Sequence, residues 1–503
     1  MPRCSPHALA RDLLAGVTVG LVLIPQSLAY ASVAGMPPVA GLYAAALPLI
    51  AAALFASSPY LQTGPVATTS LLTFGALAGR APVGSQEYLE LGILLALVVG
   101  VVRALLGVLR AGWIAHLMSV PMLMGFLPAG ALLIAASQTP AVLGVSPEGG
   151  VTAAAASALA HPEHWDPVAL AMAGGVLLIV AAGRRLHRFV PGVLVALLAG
   201  LVAGHALADR AQTIGSIPPG LPTLGLHLPS AALASLLVPA TVIAFVGFAE
   251  AASTARMYAT RERQHWSASR EFVSQGVANI VAGASGGLPV GASLSRTALN
   301  HSAGAATRLS GAFTGLVVLA FLPFASVLEP LPRPVLAAIV IGAVVGLLRL
   351  PQMVALWRIS RPQFGIAWTT FGLTLLLAPH VEWAVLAGVA LSVAVHLMRE
   401  LSLRLDVRVV GDELEVRPAG VLWFATAHDL QERLIELLGH HPHARTLRLS
   451  LDGLGRIDLT GAMTLAHTLE DVRAAGLAVE VSGVPPQARG LLERYAEWRG
   501  ALD

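Results

Sequence analysis

The stretch GLPVGASLSR (287–296) breaks a chain that is otherwise rich in long apolar runs. Ten residues hold two glycines, a proline, two serines and Arg296. A second break, TGPVATTS (63–70), has the same character. Irregular backbone at membrane depth is tolerated only where it is buried in protein or lines a cavity. The question is therefore what the two breaks surround.

The runs themselves set the class. Of 503 residues, 56% are hydrophobic and 12% charged, against roughly 25% charged in soluble domains. Runs such as 166–183, 190–208 and 312–328 approach the ~20 residues a membrane-spanning helix needs. Charge is uneven: 33 charged residues lie in 1–403 and 26 in 404–503. The pattern predicts a polytopic α-helical membrane domain over 1–403 and a soluble domain over 404–503. All 31 basic residues are Arg, so the Lys that a P-loop requires is missing. The single Cys4 excludes an internal disulfide framework. The N-terminal MPRCSPHALARD has no cleavable-signal pattern. The basic balance comes from loop arginines, and no nucleic-acid binding is expected.

About fourteen segments are expected, at 13–33, 39–56, 66–79, 88–110, 114–136, 167–183, 190–207, 230–256, 268–285, 291–303, 309–327, 334–349, 364–379 and 382–398. The positive-inside rule then orients them. Arg3, Arg11, Arg110, Arg184, Arg185, Arg188, Arg256, Arg261, Arg263, Arg270, Arg308, Arg349, Arg358, Arg361 and Arg399 fall on one side. Arg80, Arg210 and Arg333 fall on the other, with Glu87, Glu90, Glu148, Glu163, Asp166, Asp209, Glu329 and Glu382. Both termini and the soluble domain are thus expected in the cytoplasm, and the protein in the inner (plasma) membrane.

An offset of 224 aligns Pro65 with Pro289 and sets Gln26 opposite Glu250. Seven segments then fall in each half, about 11–210 and 230–400. An odd number per half makes the halves inverted, as in many secondary transporters. On this reading Gly64-Pro65 and Gly291 each start a half-helix. First-turn N–H groups are unsatisfied and partly positive, and two facing N-termini make an anion site. Ala67, Thr68, Ala292 and Ser293 are small enough to admit a ligand to the backbone. Ser293 and Ser295 add hydroxyls and Arg296 a full charge. Each break alone favours a packing kink with small residues; the shared offset favours a site. Glu250, six residues before Arg256, is expected ~9 Å inside the membrane. A buried carboxyl there suits a proton carrier, or a structural partner of Arg296. With Thr254 it suits Na⁺ instead. Gln26 and Tyr30 share one face of the first helix, as donors to an anion or as polar packing.

At these residues the chain resembles the SulP family, the sulfate-permease group of anion transporters that includes prestin and pendrin. The resemblance is carried by DLLAGVTVGLVLIPQSLAYASVAGMPPVAGLY (12–43), TGPVATTSLL, FAEAASTARMYA (248–259), GLPVGASLSRTALN (287–300) and RLSG (308–311). It implies seven-plus-seven inverted repeats divided into a core (segments one to four and eight to eleven) and a gate (five to seven and twelve to fourteen). It implies substrate contacts at Gln26, Tyr30, Val66, Ser293, Ser295 and Arg296, and H⁺ or Na⁺ coupling at Glu250; Ala67, Ala292 and Leu294 are expected beside them in the substrate site. Some relatives carry Phe where Val66 stands, which leaves substrate size open.

The tail reads as a hairpin turning at Gly411-Asp412, strands VLWFA, TLRLSL and LAVEVSG, and helices at about 426–439, 460–475 and 486–499. It resembles the STAS domain of SulP proteins, with RIDLTG (456–461) at its central motif. Thr460 matches a phosphorylated position of soluble STAS relatives, but Asp458 or Thr460 acting as helix cap is the favoured reading. STAS-bearing relatives imply a homodimer.

Other motifs are declined. Gly283-Ala284-Ser285-Gly286-Gly287 fits G-x-S-x-G but ends a membrane helix rather than sitting on a strand–turn–helix. HPEHWD (161–166) and HHPH (440–443) read as solvated loops rather than metal sites. The Asn300 sequon falls on a helix. No nucleophile–base or metal constellation points to an enzyme, and no bound cofactor is expected. The expected function is proton-coupled symport of a small anion by alternating access, with sulfate, bicarbonate or a dicarboxylate such as fumarate as substrates and a slight lean to the dicarboxylate. A Na⁺-coupled symporter, an exchanger, a passive channel and, more distantly, a nucleobase permease are the alternatives.

Overall fold

The computed structural model describes residues 5–146, 149–186, 192–207, 212–218, 220–222 and 229–492. Arg3, Glu148, Arg188, Asp209, Arg210 and the 493–499 portion of the last expected helix lie outside them. The chain divides into two compact units, Met1–Ala390 and Leu391–Asp503.

The first unit is helical. Its elements are α1 (Pro6–Val33), α2 (Pro38–Ala45), α3 (Leu47–Phe55), β1 (Thr63–Gly64), α4 (Ala67–Leu77), α5 (Gln86–Val108), α6 (Val120–Leu143), α7 (Val151–Ala160), α8 (Pro167–Leu186) and α9 (Gly192–Ala206). The second half continues with α10 (Leu233–Arg261), α11 (Ala268–Ala284), β2 (Gly291–Ala292), α12 (Leu294–Ser302), α13 (Leu309–Phe321), α14 (Arg333–Val344), α15 (Leu350–Ile359), α16 (Arg361–Leu376) and α17 (Val381–Glu400), the last of which contains the unit boundary. Each of the fourteen expected segments holds a helix. Two further helices, α7 and α15, were not expected; both are ten residues long, too short to cross ~30 Å of hydrocarbon. Among the described residues eight spans are long and apolar enough to cross a membrane alone.

Local chemistry explains the ends. Ser5 caps α1 by accepting from Ala8 N–H at 3.2 Å, with Pro6 at the first helical position. Ser85, Ser119 and Ser267 cap α5, α6 and α11 in the same way. Gly144 closes α6 in the left-handed region at φ 73°. The second segment bends between α2 and α3 at Ala46, just before Pro48 at the second position of α3.

Packing sorts the helices into two groups. In one, α11 lies against α5 and α3, α1 against α13 and α2, and α10 against α4 and α5. In the other, α6 lies against α16 and α14, and α8 against α14 and α9. Glycines permit the close approaches: a side chain at Gly41 would collide with the Ser27 carbonyl, and one at Gly125 with that of Ala367. The groups meet where α1 touches α14 and α9, and where α4 touches α6.

The two breaks meet at the centre of the first group. Thr63–Gly64 and Gly291–Ala292 form a two-stranded antiparallel ribbon, Thr63 opposite Ala292 and Gly64 opposite Gly291. This corrects the expected start of both half-helices. They begin at Ala67 and Leu294, after N-caps Val66 and Ser293. The caps are 227 residues apart, so Pro65 and Pro289 are not equivalent positions, and the offset of 224 is short by three. The glycines initiate strand pairing rather than helix. Gly64 takes φ 146°, a conformation open to glycine.

The second unit has a mixed sheet. β3 (Arg404–Val410) and β4 (Glu413–Leu422) form the expected hairpin, with Gly411 at φ 65°. β4 pairs in parallel with β5 (Thr446–Ser450) and, through its other end, with β6 (Leu454–Ile457); β5 pairs with β7 (Ala478–Ser482). Helices α18 (Phe424–His440), α19 (Leu459–Ala474) and α20 (Pro486–Leu492) complete it. Leu414, Val416, Leu447, Leu449, Leu430 and Leu465 form its buried core. The expected strand VLWFA is overturned at its end: Trp423 is the N-cap and Phe424 already belongs to α18. Strand β6 was not expected.

Candidate functional site

Helix α4 has 11 residues and α12 has 9, ~16 and ~14 Å long, so each reaches only about half way across a bilayer. The ribbon β1–β2 joins their N-terminal ends, and the antiparallel pairing sends them off in opposite directions. Val66, the N-cap of α4, has no side chain able to cap. Ser293 caps α12 by accepting from Arg296 N–H at 3.3 Å, and its hydroxyl lies 3.1 Å from that of Ser295. Ser293 N–H donates to Gln62 O at 3.0 Å, and Gln62 N–H to Thr297 Oγ1 at 3.1 Å. These cross-bonds fix α12 to the chain entering β1.

Arg296 is 1% exposed. Its Nη1 donates to Gln26 Oε1 at 3.3 Å, while Nε and Nη2 have no partner. The guanidinium lies beside Gly64, where a side chain would come within 3.4 Å of Nη2. Among the described residues no carboxylate is within ion-pair distance of Arg296. The pairing of Arg296 with Glu250, one of the sequence alternatives, is therefore absent. Glu250 instead accepts from Thr68 Oγ1 at 3.1 Å, which joins the carboxyl to the first turn of α4. Helix α10 runs on past Arg256 to Arg261, so Glu250 lies eleven residues, ~16 Å, from the end of the helix.

The expected residues therefore come together, with differences. Gln26 and Tyr30 are buried on α1, where Pro25 sits inside the continuous helix one residue before Gln26. Val66 and Ala67 are buried at the start of α4. Ala292 is fully buried and paired with Thr63, so its backbone belongs to the ribbon and not to an open helical turn. Leu294 and Ser295 are exposed. Thr254 is 4% exposed and one turn from Glu250. Thr460 is exposed in the first turn of α19, and Asp458 is the cap, accepting from Gly461 N–H at 2.7 Å.

Two cavities approach this centre between the helix groups. One, about 290 Å³, is lined by Glu250, Ser253, Thr254 and Leu294 on one side and by Met124, Arg349 and Gln352 on the other. The second, about 560 Å³, is lined by Ser32, Leu71 and Phe74 facing Leu133, Gln138 and Pro379. Thr68, which holds Glu250, and Leu71, which lines the second cavity, are one turn apart on α4. There Leu71 abuts α6, where a side chain at Gly130 would come within 3.0 Å of it.

Sequence reasoning missed Arg103. It is fully buried on α5 and donates to three carbonyls: Ala244 O at 3.1 Å, Ile243 O at 3.0 Å and Val290 O at 2.8 Å. Asn279 also holds Val290, accepting from its N–H at 2.9 Å and donating to its carbonyl at 3.1 Å. Together they clamp the residue before β2. The signal was present: a lone arginine inside an apolar run is costly and has a reason to be there. Elsewhere, one ligand atom from each of the exposed residues His161, Glu163 and His164 lies within 4.8 Å of the others.

Comparison with known proteins agrees with this architecture. The profile of the sulfate permease family matches residues 9–370, and that of the STAS domain residues 404–496. A probable sulfate transporter of Mycobacterium tuberculosis is 33% identical over 510 residues, covering 96% of this chain and 90% of that protein. The chloroplastic sulfate transporter 4.1 of Arabidopsis thaliana is 34% identical over 76% of this chain, which spans 57% of that longer protein. The sodium-independent sulfate anion transporter of Bos taurus is 28% identical over 100% of this chain and 88% of its own. In fold, the murine Solute Carrier 26 family member A9 anion transporter in the inward-facing state superposes with TM-score 0.89 at 20% identity, covering 100% of this chain and 89% of that one. The transmembrane domain of the cyanobacterium bicarbonate transporter BicA gives 0.67 at 24% identity, over 76% and 98%.

Proposed function

This chain belongs to the sulfate permease family and carries a STAS domain, and from that premise we propose that it is a secondary active transporter of a small anion, moved with a proton by alternating access. The observation that carries the reading is Arg296: a buried guanidinium with two unpartnered nitrogens, aimed between two half-helix N-termini and held by Gln26. A buried charge without a partner is costly, and an anion supplies the missing one. Ser293 and Ser295 offer hydroxyls, and Tyr30, Val66, Ala67, Ala292 and Leu294 form the wall.

Sulfate is the first substrate to test, since the relatives named above are sulfate transporters; bicarbonate and a dicarboxylate such as fumarate follow. Glu250 is the proton carrier, because it lines the smaller cavity and touches α4 through Thr68. Protonation there weakens its hold on α4 and removes a negative charge near the anion. The sodium-independent relative favours H⁺ over Na⁺ held by Glu250 and Thr254. The two cavities supply the route: the core group, with the site, moves past the gate group so that each opens in turn. The positive-inside pattern supports cytoplasmic termini in a plasma (inner) membrane protein, and the reading includes a homodimer. Thr460 offers the exposed hydroxyl for regulation by phosphorylation.

The test is uptake of radiolabelled sulfate, bicarbonate and fumarate into proteoliposomes with and without an inward proton gradient. Accumulation of one anion above equilibrium, dependent on the gradient, is the expected result. Equilibration alone, whatever the gradient, refutes coupled transport and favours the exchanger or channel.

A further inference from the structure

A third cavity, about 660 Å³, lies apart from the anion site in the core group. Three chain turns build it: the end of α3 at Ala56 and Ser57, the α10–α11 turn at His265 with Arg270 on α11, and the α12–α13 turn at Thr307 and Arg308. Its two arginines are anchored side by side. Arg270 Nε donates to Phe55 O at 3.0 Å and Arg308 Nη1 to Ala56 O at 3.2 Å. Neither is paired with a carboxylate among the described residues, so the remaining guanidinium N–H groups serve the cavity.

The nearby acids do not neutralise it. Asp12 is fully buried behind the wall and accepts from Ala306 N–H, Thr307 N–H and the Thr307 hydroxyl. Glu271 is equally buried and accepts from Ser57 and Ser58 N–H. Neither lines the cavity. Glu262 is held by His301 at 2.8 Å. The titratable groups that face the space are two arginines and an exposed imidazole, with Ser57, Gln264 and Thr307 beside them, a composition suited to a phosphate.

Apolar surface leads up to it. Leu54 and Phe55, next to Ala56, are 62% and 42% exposed. Leu309 on the rim begins a stripe on α13 that continues through Phe313 to Leu316, which is 46% exposed. Helices α3 and α13 pack on one another, so both stripes end at the basic cavity. A free inorganic anion has no use for such stripes; a lipid has. The Arg-rich side is also the side where anionic leaflets attract basic residues.

We propose that this cavity binds an anionic phospholipid, its phosphate between Arg270, Arg308 and His265 and its acyl chains along Leu54–Phe55 and Leu309–Leu316. The lipid joins the ends of α3, α11 and α13, and so braces the segment that leads into β1.

The experiment is thermal unfolding of the full-length protein in detergent, titrated with phosphatidylglycerol, phosphatidylcholine or inorganic phosphate, for the native chain and for Arg270→Gln/Arg308→Gln. Phosphatidylglycerol raises the native melting temperature by about 3 °C or more, and the double variant loses that rise. Phosphatidylcholine does not produce it. Equal stabilisation by both lipids, or a rise retained by the variant, overturns the proposal. A rise with inorganic phosphate that matches phosphatidylglycerol and vanishes in the variant overturns the lipid in favour of a free anion. If the double variant does not fold, Arg308→Lys and the native lipid comparison decide: the rise must persist with Lys and depend on headgroup charge. Sulfate binding is measured in parallel; the double variant keeps it, which separates this site from the one at Arg296.

Discussion

Replacing Arg296 by Met keeps most of the side-chain volume and removes the charge. The guanidinium has two buried nitrogens free for a ligand. Each charge-assisted hydrogen bond is worth ~1.5–3 kcal/mol. A unit charge at ~4 Å in an effective dielectric of ~20 gives ~4 kcal/mol by an independent route. After the anion regains hydration, a net loss of ~3 kcal/mol remains, a weakening of more than a hundredfold. Folding tells a different story. Arg296 donates only to neutral Gln26, at 3.3 Å, and no carboxylate loses its partner. The melting temperature without ligand therefore holds or rises. The assay is equilibrium binding of labelled sulfate to purified protein, beside ligand-free melting. A dissociation constant within threefold of the native value in a folded variant refutes the anion-site reasoning. A variant that does not fold makes Arg296 a structural residue and leaves the site to the backbone and serines.

Four further outcomes follow from the same geometry. Glu250→Gln keeps a neutral group that Thr68 can hold; native uptake into liposomes rises as the outer pH falls below the inner, whereas the variant's uptake is flat with pH and its anion exchange persists. A pH response equal to the native one counts against Glu250 as carrier. Gly247→Ala places a methyl group against Arg103 Nη2; losing at least one of the three buried carbonyl bonds lowers stability by ~2–5 kcal/mol, seen as a marked drop in melting temperature, and an unchanged melt contradicts it. Gly64→Ala strains a φ of 146° and presses on Leu49 and Arg296, so sulfate binds roughly tenfold more weakly; Gly79→Ala, with φ 74° but open space around it, leaves binding unchanged. Asp458→Ala removes the cap of α19 at a cost of ~0.5–2 kcal/mol, read as faster amide hydrogen exchange in its first turn.

The long apolar helices were legible because a membrane span must satisfy its backbone internally and so announces itself by length. Gln26, Glu250 and Arg296 were legible because polar groups in such runs demand a reason. Three features were not. Glycine and proline mark a break without saying whether helix or strand follows, so the ribbon at Gly64 and Gly291 was read as helix start. The short α7 and α15 fall below spanning length and resemble loops. Arg103 was present in plain view, but its partners are main-chain carbonyls of α10 and Val290, which carry no sequence signature. Phe424 shows the same limit in the soluble unit: an aromatic run favours strand until tertiary packing makes it a helix start.

The ribbon between Thr63–Gly64 and Gly291–Ala292 has one more consequence. It ties the two halves of the chain at the proposed anion site, and Arg103 and Asn279 lock its flank. Affinity and speed are thereby entrusted to different residues. On the proposed transport reading, the pocket would travel as a finished object, its shape set by the ribbon rather than by which side is open. On the same reading, contacts between the helix groups, such as Leu71 against Gly130, would set how fast it travels. Evolution can retune the rate of such a carrier along α6 and α14 without relearning how to recognise its cargo.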